Sequence, residues 1–279
     1  MIDARTELYG IIGNPVRHSL SPILHNGVFR RRGINAVYLA FEVKNLREAV
    51  SGIKGLGIRG VSITLPFKIE IIPFLDEVER MAGKIKAVNT ILNKEGRLIG
   101  YNTDWLGAME SLEEKVNLKG KKVLLLGAGG SARAISVGLI ERGCQVTIFN
   151  RSQKKAEDLA RELGCVHLPL LSMEGLDAEV VINATSVGMF PRESESLLPK
   201  EFLTRGMTVM DIAYQPLRTK FLREADELGC VTIDGLEMLS RQGAAQLEIW
   251  TGKRPELMEI KEDLRQALEI EINREKNDD

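Results

Sequence analysis

One segment constrains the fold more than any other: Lys122 to Leu126, then Gly127, Ala128, Gly129, Gly130, Ser131 and Ala132. Leu124 to Leu126 is a continuous apolar run of the kind buried on both faces of a parallel sheet. The glycines that follow fit G-x-G-x-x-G/A, the pattern that lets a backbone approach a pyrophosphate at a helix N-terminus. Ala132, Ile135, Leu139 and Ile140 then recur at helical spacing, and the helical run reaches Arg142. Gly127, Ala128, Gly129, Gly130 and Ser131 therefore read as the cradle of a dinucleotide. The end of the second strand, Val146–Phe149, narrows this further. About twenty residues past the first glycine, an NAD site usually places Asp or Glu to accept from the ribose 2′-hydroxyl. Here the strand runs into Asn150, Arg151 and Ser152, with Lys154 and Lys155 just beyond. Cationic donors suit a 2′-phosphate, which a carboxylate would repel. The expected cofactor is NADP, with Asn150, Arg151, Ser152 and Lys155 at the phosphate end.

A chain of 279 residues exceeds one comfortable core, so two domains are expected. The net charge of -1 gives no general pull toward nucleic acid or membrane, and no apolar stretch approaches the length of a membrane span. The N-terminal MIDARTELYG has no signal-peptide core. Cys144, Cys165 and Cys230 are odd in number and widely spaced, as reduced thiols of a cytoplasmic enzyme would be. The three histidines match no zinc spacing, so no metal is assigned.

Strands are expected at Leu8–Ile12, Val37–Val43 and Gly60–Ile63, with helices at Pro22–Arg32 and Leu46–Leu56. Val88–Leu92 and Arg97–Gly100 flank a hairpin-like turn at Asn93, and a helix begins near Trp105. Strands at Val180–Asn183, Thr208–Ile212 and Val231–Ile233 continue the nucleotide unit. Two helices follow from Gly235, broken at Gly252–Pro255, the second with Leu257, Ile260, Leu264 and Leu268 as its buried stripe; only the last residues, from Arg274, look disordered. The fold class is α/β: an N-terminal α/β substrate domain (1–104), a doubly wound Rossmann-type domain (105–234), and C-terminal helices (235–279) returning to the substrate domain. A small substrate is expected in a cleft between the two α/β domains.

Four polar clusters sit at strand ends of the first domain. In the first, Ser21 reads as N-cap with Pro22 at N1, yet a helix N-terminus with two hydroxyls also suits a carboxylate, and one residue can do both. Ser19 has no capping role in that reading, and His18 reads as a structural hydrogen-bonder. The second cluster holds Ser62, Thr64 and Lys68, with Ser62 and Thr64 on one side of a strand. The third is Ala87–Thr90. The fourth ends in Asp104, which either caps the helix starting at Trp105 or takes part in chemistry.

Together these motifs closely resemble the shikimate dehydrogenase family from Tyr9 to Gly252: GNPVRHSLSP, SITLPFK, AVNT, NTD, GAGGSA, NRS, NATSVGM, DIAYQPLRT and DGLEMLSRQGAAQLEIWTG. The resemblance implies an oxidoreductase that reduces 3-dehydroshikimate to shikimate with NADPH, toward chorismate and aromatic amino acids. By matching position, it implies that Ser19 and Ser21 hold the substrate carboxylate and that Thr64, Asn89, Tyr214 and Gln242 bond the substrate. It makes Lys68 and Asp104 the catalytic pair and places Thr185, Ser186, Ile212 and Gly235 along the nicotinamide half. The chemistry of the residues agrees: a lysine ammonium can stabilise and protonate a developing alkoxide, and a carboxylate can orient it. Gln242 shares a helical stripe with Leu239, Gln246 and Trp250; a polyol can partner Gln242, and Gln246 is read as structural.

Some positions depart from the family pattern. Ser62 stands where Asn is common, and its shorter side chain is expected to leave room beside the substrate ring. Lys155 stands where an Arg often meets the 2′-phosphate. Tyr101 and Trp105 flank NTD where smaller residues are frequent. SPILHN and GYNTD also resemble the shikimate half of dehydroquinase fusions, and this chain holds no dehydroquinase half. The alternatives are a quinate or dual quinate/shikimate dehydrogenase, a methylenetetrahydrofolate dehydrogenase, in which the HSLSP cluster has no job, and a non-catalytic NADPH-binding regulator. The protein is expected to be a monomer or homodimer.

Overall fold

The computed structural model describes residues 2–168 and 177–275, with side chains to Leu268. The chain divides into two compact units: Met1–Thr103 with Gln242–Asp279, and Asp104–Arg241. The first unit contains β1 (Glu7–Gly13), α1 (Ser21–Arg31), β2 (Ala36–Glu42), α2 (Leu46–Gly55) and β3 (Gly60–Ile63). It continues through β4 (Glu77–Val78), α3 (Arg80–Ile85), β5 (Thr90–Lys94) and β6 (Arg97–Tyr101). The second unit begins with α4 (Asp104–Glu113), β7 (Lys122–Leu126), α5 (Gly130–Glu141), β8 (Gln145–Phe149), α6 (Gln153–Leu163) and β9 (Val166–Leu168). Then come β10 (Val180–Asn183), β11 (Thr208–Asp211), α7 (Lys220–Glu227) and β12 (Val231–Ile233). The unit boundary falls inside α8 (Gly235–Thr251), and α9 (Leu257–Glu275) closes the chain.

The first sheet has the order β2-β1-β3-β5-β6-β4. β1 runs parallel to both neighbours, and β5 is antiparallel to β3 and β6. One core of this unit gathers Ile12, Val50, Ile53, Val61, Ile63, Ile71, Val88 and Leu98. Elsewhere in the unit Tyr9, His25, Tyr38 and Trp250 form an aromatic cluster, and α9 packs on α1 with Arg31 bonded to Asp263 at 2.7 Å.

The second sheet is wholly parallel in the order β12-β11-β10-β7-β8-β9. Strand order reverses between β7 and β10, the switch point at which doubly wound sheets take up a dinucleotide. The apolar run of β7 serves both faces. Val123 and Leu125 enter a core with Met109, Leu112, Ile135 and Leu139, while Leu124 and Leu126 meet Phe149, Val181, Val209 and Phe221. Each leucine so buried contributes roughly 1.5–3 kcal/mol.

Several boundaries differ from those expected. β5 begins at Thr90, not Val88, because the Val88 N–H donates to the Lys68 carbonyl at 2.7 Å and leaves the ladder. The hairpin turn is Glu95 and Gly96, both at positive φ, and Asn93 lies within the strand. The helix α8 groups with the first unit only from Gln242, so Gly235–Arg241 belong to the second. Arg274 and Glu275, expected to be disordered, close α9; residues 276–279 lie outside the described residues.

Candidate active site

In the first unit the polar clusters converge on a buried hydrogen-bonded array. Asn89 is 3% exposed. Its Nδ2 donates to Thr103 Oγ1 at 3.0 Å and to Gln242 Oε1 at 3.4 Å, and its Oδ1 accepts from the Thr103 N–H at 2.7 Å. Residues from the start of β5, the end of the β6 loop and α8 are thereby drawn to one point. Thr64 and Lys68 are half-buried on the turn that leaves β3. Asp104 is buried and is the first residue of α4, so it does not cap a helix starting at Trp105.

Gln246 is the hub of the array. Its Oε1 accepts from Ser62 Oγ at 3.0 Å and sits 3.2 Å from His25 Nε2, while its Nε2 donates to Thr90 Oγ1 at 3.0 Å and to the Asn89 carbonyl at 3.3 Å. Since the amide nitrogen is occupied as donor, Oε1 is the acceptor and His25 carries its proton on Nε2. His25 is fully buried and stacks on Tyr38 at 4.3 Å. Burial lowers its pKa to about 3, against the opposing bond to Gln246, so it is neutral throughout the physiological range. Tyr38 donates to Ser62 Oγ at 2.6 Å, and burial raises its phenol above the ordinary range. Ser62 Oγ thus already receives one proton and gives one inside the fold.

The serine cluster corrects two expectations. Leu20, not Ser21, holds the cap position of α1, and Ser21 is already helical. Ser21 is therefore not the cap, and it lies beside Tyr38, whose phenol it favours in the ionised form against burial. Ser19, expected to have no such role, accepts from the Ser21 N–H through Oγ at 3.3 Å and takes up one of the free N–H groups at the helix start. Ser19 is half-buried and Ser21 buried.

The second unit carries the nucleotide features. Gly127 has φ +123°, and an added Cβ would lie 3.0 Å from the Ala184 carbonyl oxygen and 3.1 Å from Thr185 Cγ2. Only glycine fits that turn. Gly129 holds the cap position of α5 without a side-chain bond, and a Cβ there would meet nothing within 4 Å, so the cap itself is uncrowded. Ala128, Gly130 and Ser131 are half-buried beside it. At the end of β8, Asn150 Nδ2 donates to the Ser152 carbonyl at 3.0 Å and folds the Asn150–Ser152 loop. Lys154 is bonded to Asp158 at 2.7 Å, whereas the exposed Arg151 and Lys155 have no ion pair among the described residues. The open glycine turn and two uncommitted cations fit NADP. Thr185 is half-buried and Ser186 exposed after β10; Ile212 follows β11. Gly235 approaches the Ile212 and Ala213 carbonyls so closely that a Cβ would collide with them. Of the expected substrate residues, Tyr214 alone belongs to the second unit, on the loop after β11, where it is half-buried.

Comparison with known proteins accounts for this combination. Residues 11–91 match the family described as shikimate dehydrogenase substrate binding domain, 110–239 match shikimate/quinate 5-dehydrogenase, and 235–269 match the shikimate 5′-dehydrogenase C-terminal domain. A shikimate dehydrogenase (NADP(+)) of Pyrococcus furiosus is 48% identical over 259 residues, covering 91% of this chain and 93% of that one. The chain belongs to the shikimate dehydrogenase family. A solved shikimate dehydrogenase in complex with NADP+ superposes with TM-score 0.91 at 42% identity, over 96% of this chain and 98% of the other. The shikimate dehydrogenase of Thermus thermophilus, in complex with NADP(H) and shikimate, gives 0.88 at 38% identity, over 94% and 100%. As a member of that family, the protein has the substrate-domain and Rossmann-type architecture expected from its motifs.

Sequence reasoning missed Tyr38 and His25, while Gln246, read as structural, is the hydrogen-bonding hub of the array. Helical spacing could have revealed part of this, since Ser21 and His25 stand four apart on α1. Tyr38 gave no signal, because a tyrosine on a strand is ordinary core. Among the described residues no helix is long and apolar enough to cross a membrane, and no group of three or more His, Cys, Asp or Glu could hold a metal.

Proposed function

We propose that this protein is an NADP-dependent shikimate dehydrogenase that interconverts 3-dehydroshikimate and shikimate, acting in the cytoplasm as a monomer or homodimer. What carries the reading is the pairing of two features in one member of this family. The first unit offers a buried polar array suited to a polyol, and the second offers a glycine turn followed by uncommitted cations. Bound NADPH supplies the hydride that reduces the substrate carbonyl. Lys68 stabilises the oxygen on which negative charge develops and protonates it, and Asp104 accepts from a neighbouring ring hydroxyl and orients the ammonium. Ser19 and Ser21 hold the carboxylate, and Thr64, Asn89, Tyr214 and Gln242 bond the hydroxyls. Arg151 and Lys155 take the 2′-phosphate, with Asn150 and Ser152 shaping their loop.

The test follows absorbance of the reduced nicotinamide with shikimate and quinate crossed against NADP and NAD. Shikimate with NADP should give the highest kcat/KM, and a higher value for quinate or for NAD would overturn the assignment. Lys68→Ala should lower kcat by at least about 100-fold, the lower end of general acid–base assistance, while calorimetric shikimate binding stays near wild type. A variant that keeps a tenth of wild-type kcat would remove Lys68 from the chemistry.

A further inference from the structure

Asp211, at the end of β11, has no exposed surface, and its hydrogen-bond partners are all neutral. Oδ1 accepts from Asn183 Nδ2 of β10 at 3.0 Å and from the Ala213 N–H at 3.0 Å; Oδ2 accepts from Thr219 Oγ1, at the cap of α7, at 2.7 Å. The charged neighbours in sequence are engaged elsewhere, Arg218 with Asp226 and Lys220 with Glu224.

The bonds beyond Asn183 have a fixed direction. An ionised carboxylate only accepts, so Asn183 must present its NH2 and keep its oxygen for other donors. That oxygen accepts from Thr185 Oγ1 at 2.7 Å and from the Thr185 N–H at 3.1 Å. Thr185, having given its hydroxyl proton, accepts from the Val187 N–H at 3.1 Å. Each proton in the chain from Val187 to Asp211 points toward the carboxylate. The same Oδ1 holds Ala213, the residue after Ile212, and the Ile212 N–H donates to the Asn183 carbonyl at 3.0 Å. One carboxylate therefore orders both loops, that after β10 with Thr185 and that after β11 with Ile212. Thr185 also lies directly against the Gly127 turn.

We propose that Asp211 is a positioning residue for the nicotinamide half of the bound dinucleotide, setting Thr185 through Asn183 and Ile212 through the Ala213 backbone. The inference rests on the NADP reading above. Burial raises the Asp211 pKa to about 6, so the ionised form is disfavoured by the fold, and a neutral residue would sit there more stably.

Asp211→Asn keeps the shape and removes the acceptor-only end. Titrations compare NADPH with adenosine 2′,5′-bisphosphate, which carries the phosphate end and lacks the nicotinamide. The Kd for NADPH should rise at least about fivefold, the worth of one net hydrogen bond, and kcat should fall, while the Kd for the bisphosphate changes by less than about twofold. The Tm at pH 8 should be unchanged or higher. Unchanged NADPH affinity and kcat would overturn the inference, as would equal loss for both ligands, which marks a merely structural role. Should Asp211→Asn not fold, Asn183→Ser, one step along the chain, is held to the same limits. Wild-type protein that fails to bind NADPH would instead sink the NADP reading, and this inference with it.

Discussion

Replacing Gln246 by Met keeps the length of an unbranched helical side chain and deletes the hub of the first unit's polar array. Two donors lose their acceptor: His25 Nε2–H at 3.2 Å and Ser62 Oγ–H at 3.0 Å. The Ser62 hydroxyl can rotate, but the His25 ring is held by its stack on Tyr38. Thr90 Oγ1 and the Asn89 carbonyl lose a donor but keep other partners, Asn89 Oδ1 and the Ile63 N–H. A buried group left unsatisfied costs about 1–3 kcal/mol, and burial of the Met thioether offsets roughly 1 kcal/mol. For two such donors the net loss is about 1–5 kcal/mol, a large share of the ~5–15 kcal/mol typical of a folded domain. Two units need not unfold together, so the measurement must report on one of them. The two tryptophans allow this, because Trp105 lies on α4 of the second unit and Trp250 lies 5.1 Å from the His25 ring. In a Trp105→Phe background, fluorescence follows the first unit alone through a urea titration. With a slope of ~2 kcal/mol/M, the Gln246→Met midpoint should fall by about 0.5–2.5 M. A shift under about 0.3 M would refute the account, because the four bonds would then have no net value.

Arg151→Ala should erode the preference for NADP at least tenfold in kcat/KM and spare turnover with NAD, since a charge-assisted bond contributes roughly 1.5–3 kcal/mol; equal losses with both cofactors would move the phosphate site elsewhere. His25 gives a pH dependence whose sign is fixed. Its folded-state pKa, about 3, lies below the ordinary 6.5, so the unfolded chain binds the proton first. Stability from the neutral ring is complete above pH 6.5 and is lost as pH falls toward 3. His25→Gln cannot titrate, so between pH 7 and 4.5 its urea stability should fall by about 2–3 kcal/mol less than that of the wild type. Parallel curves for the two proteins would show that His25 is hydrated.

Periodicity and punctuation carried the second unit. The strand–glycine–helix at 122–141 and the apolar strand at Val180–Asn183 stand where they were expected, because strands buried on both faces need continuous apolar runs, and the edge strand Val231–Ile233 also falls at its expected place. Elements that bury little were illegible. β4 has two residues and β9 three, and α6 and α7 carry so many charges that their narrow apolar stripes did not register. α3 is set by its cap: Glu79 accepts from the N–H groups of Met81 and Ala82 at 2.8 and 3.3 Å, a role usually held by a shorter side chain.

The site divides in the same way. Single residues of unusual type, Asn89 beside a strand and Gln242 on the helix α8, could be picked out because a polar group on an otherwise apolar surface needs a partner. The partners themselves are set by tertiary contacts that no local pattern encodes: Gln246 meets His25 across 221 positions and Ser62 across 184. Small boundary errors then reverse chemical readings. Placing the start of α1 one residue late made Ser21 a cap and left Ser19 idle. With the helix begun at Ser21, Ser19 accepts the Ser21 N–H and Ser21 lies beside Tyr38. Tyr38, beside Ser21, is tied through Ser62 to Gln246, and from Gln246 through Thr90 to Asn89. The residues proposed to hold the carboxylate and those proposed to hold the hydroxyls thus share one buried framework. A substitution at Tyr38 or Gln246, neither of them assigned to the substrate, should therefore disturb both ends together.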